Sequence, residues 1–111
     1  MSEIAKTPPP PYYAVIFCSV RTGGDDGYDE LAARMAELSA GQDGFLGMEH
    51  ARSDDLSITI CYWESLEAIA NWRENEEHLL AQRKGYETFY QAFCTRVCKV
   101  ERDNFFERQK A

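Results

Sequence analysis

The chain has 111 residues, of which 44% are hydrophobic and 28% are charged, as in an ordinary globular domain with room for one hydrophobic core. The net charge of −7 argues against nucleic acids and anionic membrane surfaces as partners, because both require lysine and arginine concentrated on one face. The basic residues of this chain are scattered instead.

Residues 1–11 end in four consecutive prolines and contain no long apolar run. Consecutive prolines favour a polyproline II conformation and lack the N–H groups that a sheet requires. We therefore expect an N-terminal arm that is disordered or draped over the surface, and a Pro-rich ligand for a binding domain is the alternative. With no signal-peptide pattern and no apolar run of membrane-spanning length, the sequence predicts a cytoplasmic protein.

The first predicted strand is Tyr12–Arg21, YYAVIFCSVR, which is apolar on both faces. A turn rich in glycine and aspartate follows, in which Asp25 or Asp26 can cap a helix. That helix is predicted to run to about Ala40 and to end at Gly41. Its apolar stripe consists of Tyr28, Leu31, Ala32, Met35 and Leu38.

The second predicted strand covers residues 44–52, and its side chains alternate between two faces. One face is expected to carry Phe45, Gly47, Glu49 and Ala51, and the other Leu46, Met48, His50 and Arg52. A tight hairpin at residues 53–55 leads into the third predicted strand, residues 56–63. We count Ser57 and Thr59 as its only polar side chains. Both faces of this strand are therefore predicted to lie against apolar groups.

A helix is predicted to follow the third strand, with Ser65 as its N-cap. A break at Glu74 and Asn75 would divide it into two helices, and Trp72 and His78 could then both face the sheet. In one unbroken helix these two side chains would diverge by about 120°.

Lys84 and Gly85 are predicted to end the second of these helices. Residues 86–93 are ambiguous between a short helix and extended chain, and residues 95–106 form the last predicted strand. Its buried side chains are expected to be Val97, Cys98 and Val100. The predicted domain covers residues 12–106, with a frayed tail at residues 107–111.

The four cysteines lie in apolar, strand-like runs without CxxC spacing or nearby paired histidines, so no metal site is predicted. They are Cys18, Cys61, Cys94 and Cys98. Reduced, buried thiols are expected. Cys94 and Cys98 would share one face of a strand but lie about 13 Å apart, which is too far for them to bridge each other.

The predicted order of strands and helices is βαββαβ, which is typical of a ferredoxin-like α+β fold with an antiparallel sheet and both helices on one face. The opposite face of such a sheet would expose apolar side chains to water. This favours a homodimer joined sheet to sheet.

The chain resembles the antibiotic biosynthesis monooxygenase superfamily of small dimeric α+β barrel proteins. The resemblance extends over about residues 12–106. It rests on YYAVIF from Tyr12, Gln42 with GFLG from Gly44, ITICYW from Ile58, AIANW ending at Trp72, EHLLAQRKG from Glu77 and RVCKVER from Arg96.

The resemblance implies a homodimer in which a pocket between sheet and helices oxidises a small aromatic or quinol-type substrate with dioxygen and no cofactor. Trp72 is the one position carried over from the family. Residue chemistry suggests His78 as the catalytic base, since an unperturbed imidazole titrates near neutrality. The candidate substrate-binding residues are Tyr62, Arg52, Arg83, Tyr86 and Tyr90.

Two alternative functions remain. The haem-degrading branch of the superfamily uses an asparagine on the first strand, a tryptophan matched by Trp72 and a histidine ligand whose position falls at Gln82. No asparagine lies within Tyr12–Arg21, so haem is not expected. The other alternative is a non-catalytic, small-molecule-binding or stress-related dimer, in which the aromatic residues pack the core and His78 is solvated in a charged helical turn.

Overall fold

The computed structural model describes residues 3–22, 27–82 and 90–109, and for Tyr28 and residues 77–82 only the backbone is described. The elements are β1 (Tyr12–Arg21), α1 (Tyr28–Ala40), β2 (Phe45–Ser53), β3 (Leu56–Trp63), α2 (Leu66–Gln82) and β4 (Tyr90–Val100). This order confirms the predicted βαββαβ pattern. Neither described helix is long and apolar enough to cross a membrane.

The four strands form one antiparallel sheet in the order β2-β3-β1-β4. Both helices pack on the same side of it. Trp63 of β3 forms the centre of the core with Ala68, Ile69 and Trp72 of α2, and Leu38 of α1 packs against this cluster. We call this side of the sheet the helix face and the opposite side the outer face.

The strand register assigns each side chain to one of these faces, because residues directly opposite each other in an antiparallel pair project to the same side. Val15, Cys61 and Met48 lie side by side across three strands and belong to the helix face with Trp63. Ile16 and Ile60 form a neighbouring pair that belongs to the outer face.

A β-bulge in β2 changes the predicted alternation of that strand. Phe45 lies opposite Trp63, whereas Gly47 lies opposite Tyr62, so Leu46 is an additional residue in the ladder. Phe45 therefore lies on the helix face, not on the face of Gly47 as predicted. Its ring packs edge-on against Trp63 with a centroid separation of 5.4 Å.

The predicted ends of the helices are confirmed at two positions. Gly41 caps the C-terminus of α1, and the Ser65 hydroxyl accepts a hydrogen bond of 3.0 Å from the Ala68 backbone N–H at the start of α2. The residue before α1 is Gly27, with φ of 85° and no side-chain cap. The predicted caps Asp25 and Asp26 lie outside the described residues.

The predicted break in the second helical region is wrong, because α2 continues without interruption through Leu66–Gln82. No glycine or proline lies within this range. Asn75 does not start a new helix: its side-chain amide donates to the Asn71 carbonyl one turn earlier and to Gln42 Oε1. The expected terminators Lys84 and Gly85 lie outside the described residues.

Strand β4 covers Tyr90–Val100, so it both begins and ends earlier than the predicted range of 95–106, and most of it is exposed. Val97 is 45% exposed, Cys98 is also exposed and Val100 is half-buried, so the predicted burial of this strand is wrong. The reason is its position at the edge of the sheet, where β1 is its one neighbouring strand among the described residues. All four thiols are free, but Cys94 is also exposed, which corrects the expectation of four buried cysteines.

The two ends of the described chain lie together against one end of the outer face. The Ala5 backbone N–H donates to Glu49 Oε2 at 2.9 Å, and the Tyr12 hydroxyl donates to Asp103 Oδ2 at 2.5 Å. Lys6 and Glu107 form an exposed ion pair of 3.7 Å between the two segments. The hydrogen bond from Ala5 holds the N-terminal segment against the outer face.

Candidate functional site

A pair of stacked indoles lies between the helix face and α2. Trp63 is 0% exposed and Trp72 is 7% exposed, and their ring centroids are 6.3 Å apart at an interplanar angle of 24°. The Ser65 cap fixes the start of α2 two residues after Trp63. Trp72 then follows two turns later on the side of the helix that faces the sheet.

Glu76 lies one helical turn after Trp72, on the same side of α2, and is half-buried. Burial and the nearby Glu76 carboxylate together raise the pKa of the Cys61 thiol from 9.0 to about 11. Cys61 is thus protonated at neutral pH, and an acid–base side chain approaches it from α2. Sequence reasoning missed Glu76, although its spacing of four residues from Trp72 was a usable signal.

His50 is a second titratable side chain on the helix face. It projects from β2 beside Thr59, and its Nδ1 lies 2.8 Å from the Thr59 hydroxyl. Thr59 is two residues before Cys61 on β3, so it occupies the next position on the same face. His50 is exposed, which places it at the rim of this region and not in its interior.

An aromatic cluster continues the helix face towards the other end of the sheet. Phe17 of β1 packs against Tyr90 and Phe93 of β4, with centroid separations of 5.6 and 5.7 Å. Phe93 is 46% exposed. Tyr90 thus contributes an aromatic surface on the predicted side of the sheet, but it lies far from Trp72. Tyr90 pairs with Arg21 of β1, whereas Trp63 pairs with Tyr13. These two positions on β1 are eight residues, or about 26 Å, apart.

Arg52 is also distant from the indole pair. It lies next to the β2–β3 hairpin, opposite Ser57, which is six positions before Trp63 on β3. Its Nε donates to the Asp54 carbonyl at 3.0 Å, and Arg52 therefore stabilises the turn. The structure does not bring it together with Trp72.

Tyr62 lies on the outer face, whereas Trp72 contacts the helix face. The Tyr62 hydroxyl donates to Glu49 Oε1 at 2.7 Å, and its ring packs edge-on against Tyr12. Burial and the hydrogen bond to Glu49 raise the pKa of Tyr62, while burial and the bond to Asp103 raise that of Tyr12. These two tyrosines attach the chain ends to the sheet and do not line a pocket with Trp72.

The three remaining candidates fall wholly or partly outside the described residues. Arg83 and Tyr86 lie entirely outside the described residues. His78 is in α2, but only its backbone is described. Because α2 is unbroken, the Cα positions of residues 72 and 78 lie about 120° apart around the helix axis. No group of three metal-ligating side chains occurs in the part of the chain that the structure describes.

A family model described as antibiotic biosynthesis monooxygenase matches residues 11–84, which include the first three strands, α1 and α2. The chain belongs to the antibiotic biosynthesis monooxygenase family. It is 48% identical over 108 residues to the uncharacterized protein YqjZ of Bacillus subtilis, and the match covers 96% of this chain and 95% of YqjZ.

Solved structures of other proteins share the fold. SnoaB, a cofactor-independent oxygenase from Streptomyces nogalater, matches with a TM-score of 0.64 and 16% identity over 91% of this chain and 97% of its own. PA3566 from Pseudomonas aeruginosa matches with a TM-score of 0.61 and 19% identity over 92% of this chain and 100% of its own. At these identities the likeness is one of architecture, and the chemistry has to be argued from this chain's residues.

Proposed function

We propose that this family member is a cofactor-independent monooxygenase that oxidises a small phenol or hydroquinone between the helix face and α2. The observation that carries the proposal is the half-buried carboxylate of Glu76, which lies one helical turn from Trp72 and is near enough to raise the pKa of Cys61. A half-buried carboxylate against an apolar wall is suited to removing a phenolic proton. The similarity in fold to SnoaB supports the same reaction class.

In the proposed reaction Glu76 accepts the phenolic proton, and the resulting anion transfers electrons to dioxygen. For a hydroquinone, one oxygen atom is inserted at a ring C–H position and the ring is oxidised to a hydroxyquinone. The other oxygen atom leaves as water with two of the substrate's hydrogens, so atoms and electrons balance. Trp72 excludes water from one side of the ring, and the protonated Cys61 thiol is a weak hydrogen-bond donor towards the same space.

His78 is the alternative base, and the two candidates make different predictions. Oxygen uptake is measured with a panel of hydroquinones and anthrones for the wild type and for the Glu76→Gln, His78→Asn and Trp72→Phe variants. If Glu76 is the base, Glu76→Gln is expected to lower the rate of oxygen uptake by about 10²–10⁴-fold. Glu74→Gln is the matched control, because Glu74 is exposed on the same helix and its loss leaves the rate unchanged.

A wild type that consumes no oxygen with any of these substrates contradicts the proposal. If only His78→Asn loses oxygen uptake, then His78 and not Glu76 is the base. The reaction as proposed uses no cofactor, and added haem is accordingly expected to give no Soret shift.

A non-catalytic binding protein is the second candidate. The complete burial of Trp63 favours it, because this end of the helix face is filled by the protein's own side chains. Tryptophan fluorescence distinguishes the two functions. Quenching by an aromatic ligand without oxygen uptake supports a binder, whereas quenching with uptake supports the oxygenase.

The proposal includes a homodimer joined through the outer faces. Leu56 and Ile58 are 43% and 38% exposed on this face, beyond the area that the chain ends cover. Burying such side chains against a second copy would remove apolar surface from water. Light scattering on the wild type is expected to give the dimer mass. Ile58→Lys is expected to give the monomer, while Glu67→Lys on exposed α2 surface leaves the dimer intact.

A further inference from the structure

Two buried serines lie side by side on the helix face, at the end of the sheet next to the β2–β3 hairpin. Ser19 of β1 is directly opposite Ser57 of β3 in the antiparallel register. Ser19 follows the helix-face residue Val15 by four positions, so both serines project towards the helices. Opposed residues have Cβ atoms about 4.5–5.5 Å apart, and the two hydroxyls can therefore bind the same ligand group.

The Ser19 hydroxyl is a buried polar group that the described part of the chain does not satisfy. Ser19 is 2% exposed, and its Oγ has no hydrogen-bond partner among the described residues. Ser39 is equally buried, but its hydroxyl donates to the Ala36 carbonyl at 2.9 Å. A buried hydroxyl without a partner destabilises a folded protein, and a polar ligand group at this position would remove that cost.

A buried guanidinium next to the serines indicates the charge of such a ligand. Arg21 follows Ser19 by two residues on the same face of β1 and is 8% exposed. Its Nη1 lies 3.7 Å from Asp29 Oδ1 in the first turn of α1, so the guanidinium is located between the sheet and α1. The Asp29 side chain is 70% exposed, and water screens its charge more than that of Arg21. The position therefore favours an anion.

Arg52 adds a second positive charge at the rim of this position. It lies opposite Ser57 on β2 and is exposed. Two guanidinium groups and two hydroxyls suit a carboxylate, which accepts hydrogen bonds through both of its oxygens. A dianion such as phosphate fits less well, because the Asp29 carboxylate beside Arg21 would repel its second charge.

The serine pair lies at a defined distance from the proposed base. Ser57 precedes Cys61 by four residues on β3, or about 13 Å, and the Glu76 carboxylate is near enough to Cys61 to raise its pKa. Phe17 of β1 lies midway between these two positions on the same face and offers an aromatic ring. A ligand that contacts both ends has a phenolic ring, an apolar middle and an acidic group.

We propose that Ser19, Ser57 and Arg21 form a carboxylate-binding position, and that the phenolic substrate carries an acidic side chain that reaches it. The position of the phenol rests on the proposed oxygenase function, whereas the carboxylate-binding position does not. The serine hydroxyls and the guanidinium donate hydrogen bonds to the carboxylate oxygens. A neutral analogue of the same length lacks the charge that Arg21 attracts, so the position selects acids.

Anaerobic calorimetry tests the position without requiring turnover. The probes are hydroquinones with alkanoic acid side chains of increasing length, and the corresponding primary amides. We expect the wild type to bind the acids more tightly than the amides, with the largest preference when the ring and the carboxylate are about 13 Å apart. Ser19→Ala is expected to weaken binding of that acid by about 10–100-fold and binding of its amide by less.

Ser39→Ala is the matched control, because Ser39 is as buried as Ser19 and its hydroxyl is bonded within α1. It is expected to leave acid binding unchanged and to lower the melting temperature. Ser19→Ala is expected to keep or raise the melting temperature, since its hydroxyl loses no described partner. Arg21→Gln should abolish the preference for acids, and Ser19→Ala decides the question if that variant does not fold.

Equal affinity of the wild type for acids and amides overturns the proposal, and so does unchanged acid affinity in Ser19→Ala. If Ser19→Ala lowers the melting temperature and weakens acids and amides alike, Ser19 is only structural and the proposal also fails. Acid binding without oxygen uptake contradicts the oxygenase and retains the carboxylate position. Oxygen uptake with the same KM for acids and amides does the reverse.

Discussion

Tyr62 and Trp63 are consecutive residues of β3 that project to opposite faces of the sheet. Trp63 is completely buried against α2, whereas Tyr62 binds Glu49 and packs on Tyr12 beneath the chain ends. The sheet therefore separates a helix-covered side, where we place the chemistry, from an outer side that holds the terminal segments. Substitutions on the two faces are expected to affect different properties of the protein.

Replacing Trp63 with alanine is expected to lower the free energy of unfolding by about 3–5 kcal/mol. The indole is 0% exposed and contacts both Phe45 and Trp72, so its removal leaves a cavity at the centre of the core. Urea denaturation measures the change. Leu66→Ala is the control, because Leu66 is 56% exposed and its truncation is expected to change stability by no more than about 0.5 kcal/mol.

Gly44 and Gly27 form a matched pair for measuring steric crowding. Both have left-handed φ angles, 89° and 85°, and alanine at either position bears a similar backbone cost of about 1–2 kcal/mol. A Cβ atom at Gly44 would also lie 2.6 Å from Ala68 Cβ, whereas one at Gly27 would have no neighbour within 4 Å among the described residues.

Gly44→Ala is therefore expected to destabilise the protein by about 1–3 kcal/mol more than Gly27→Ala. Thermal or urea unfolding of the two variants provides the comparison. Equal losses of unfolding free energy in the two variants would contradict the close packing of the residue before β2 against α2.

The raised pKa of Cys61 makes stability depend on pH in the alkaline range. The folded-state pKa is about 11 and the ordinary value is 9.0, so the folded protein retains this proton after the unfolded chain has released it. The stabilisation of the folded protein by this protonated thiol is fully present below pH 9.0 and is lost as the pH rises towards about 11.

Cys61→Ala is expected to reduce the fall in unfolding free energy between pH about 8 and about 11. Urea curves at several pH values measure this slope. Cys98→Ala is the control, since the Cys98 side chain is exposed. An unchanged slope in Cys61→Ala would show that burial and Glu76 do not hold the thiol protonated.

Gly47 leaves space for the N-terminal segment. A Cβ atom there would lie 2.9 Å from Ala5 Cβ, so Gly47→Val is expected to displace this segment from the sheet. Trypsin should then cleave after Lys6 faster than in the wild type. Ala51→Val, an exposed position two register steps along the same face of β2, is expected to leave the cleavage rate unchanged.

Much of the fold was predictable because apolar periodicity reports burial directly. The Ser65 cap, the end of α1 at Gly41 and the order of elements all follow from local sequence. The bulge at Leu46 was not predictable, because Phe45 and Leu46 are both apolar and the sequence does not show which of them is the additional residue in the ladder. The exposure of Val97 depends on which strand lies at the edge, and that is a tertiary property.

The candidate site was predicted less well than the fold. Trp72 was identified through the family resemblance, but Tyr62 and Arg52 were assigned without knowledge of the face or the end of the sheet to which they belong. Glu76 was overlooked in a run of charged residues, ENEE, that resembles a solvated helical turn. The unbroken course of α2 is what turns this carboxylate towards Cys61.

The contacts of Ala5, Lys6 and Asp103 have a practical consequence for handling the protein. An affinity tag fused at either terminus would emerge next to the outer face, where we propose that a second copy binds. Residual tag residues could then obstruct association and be mistaken for a naturally monomeric state. Mass measurements should therefore be made on chains from which every added residue has been cleaved.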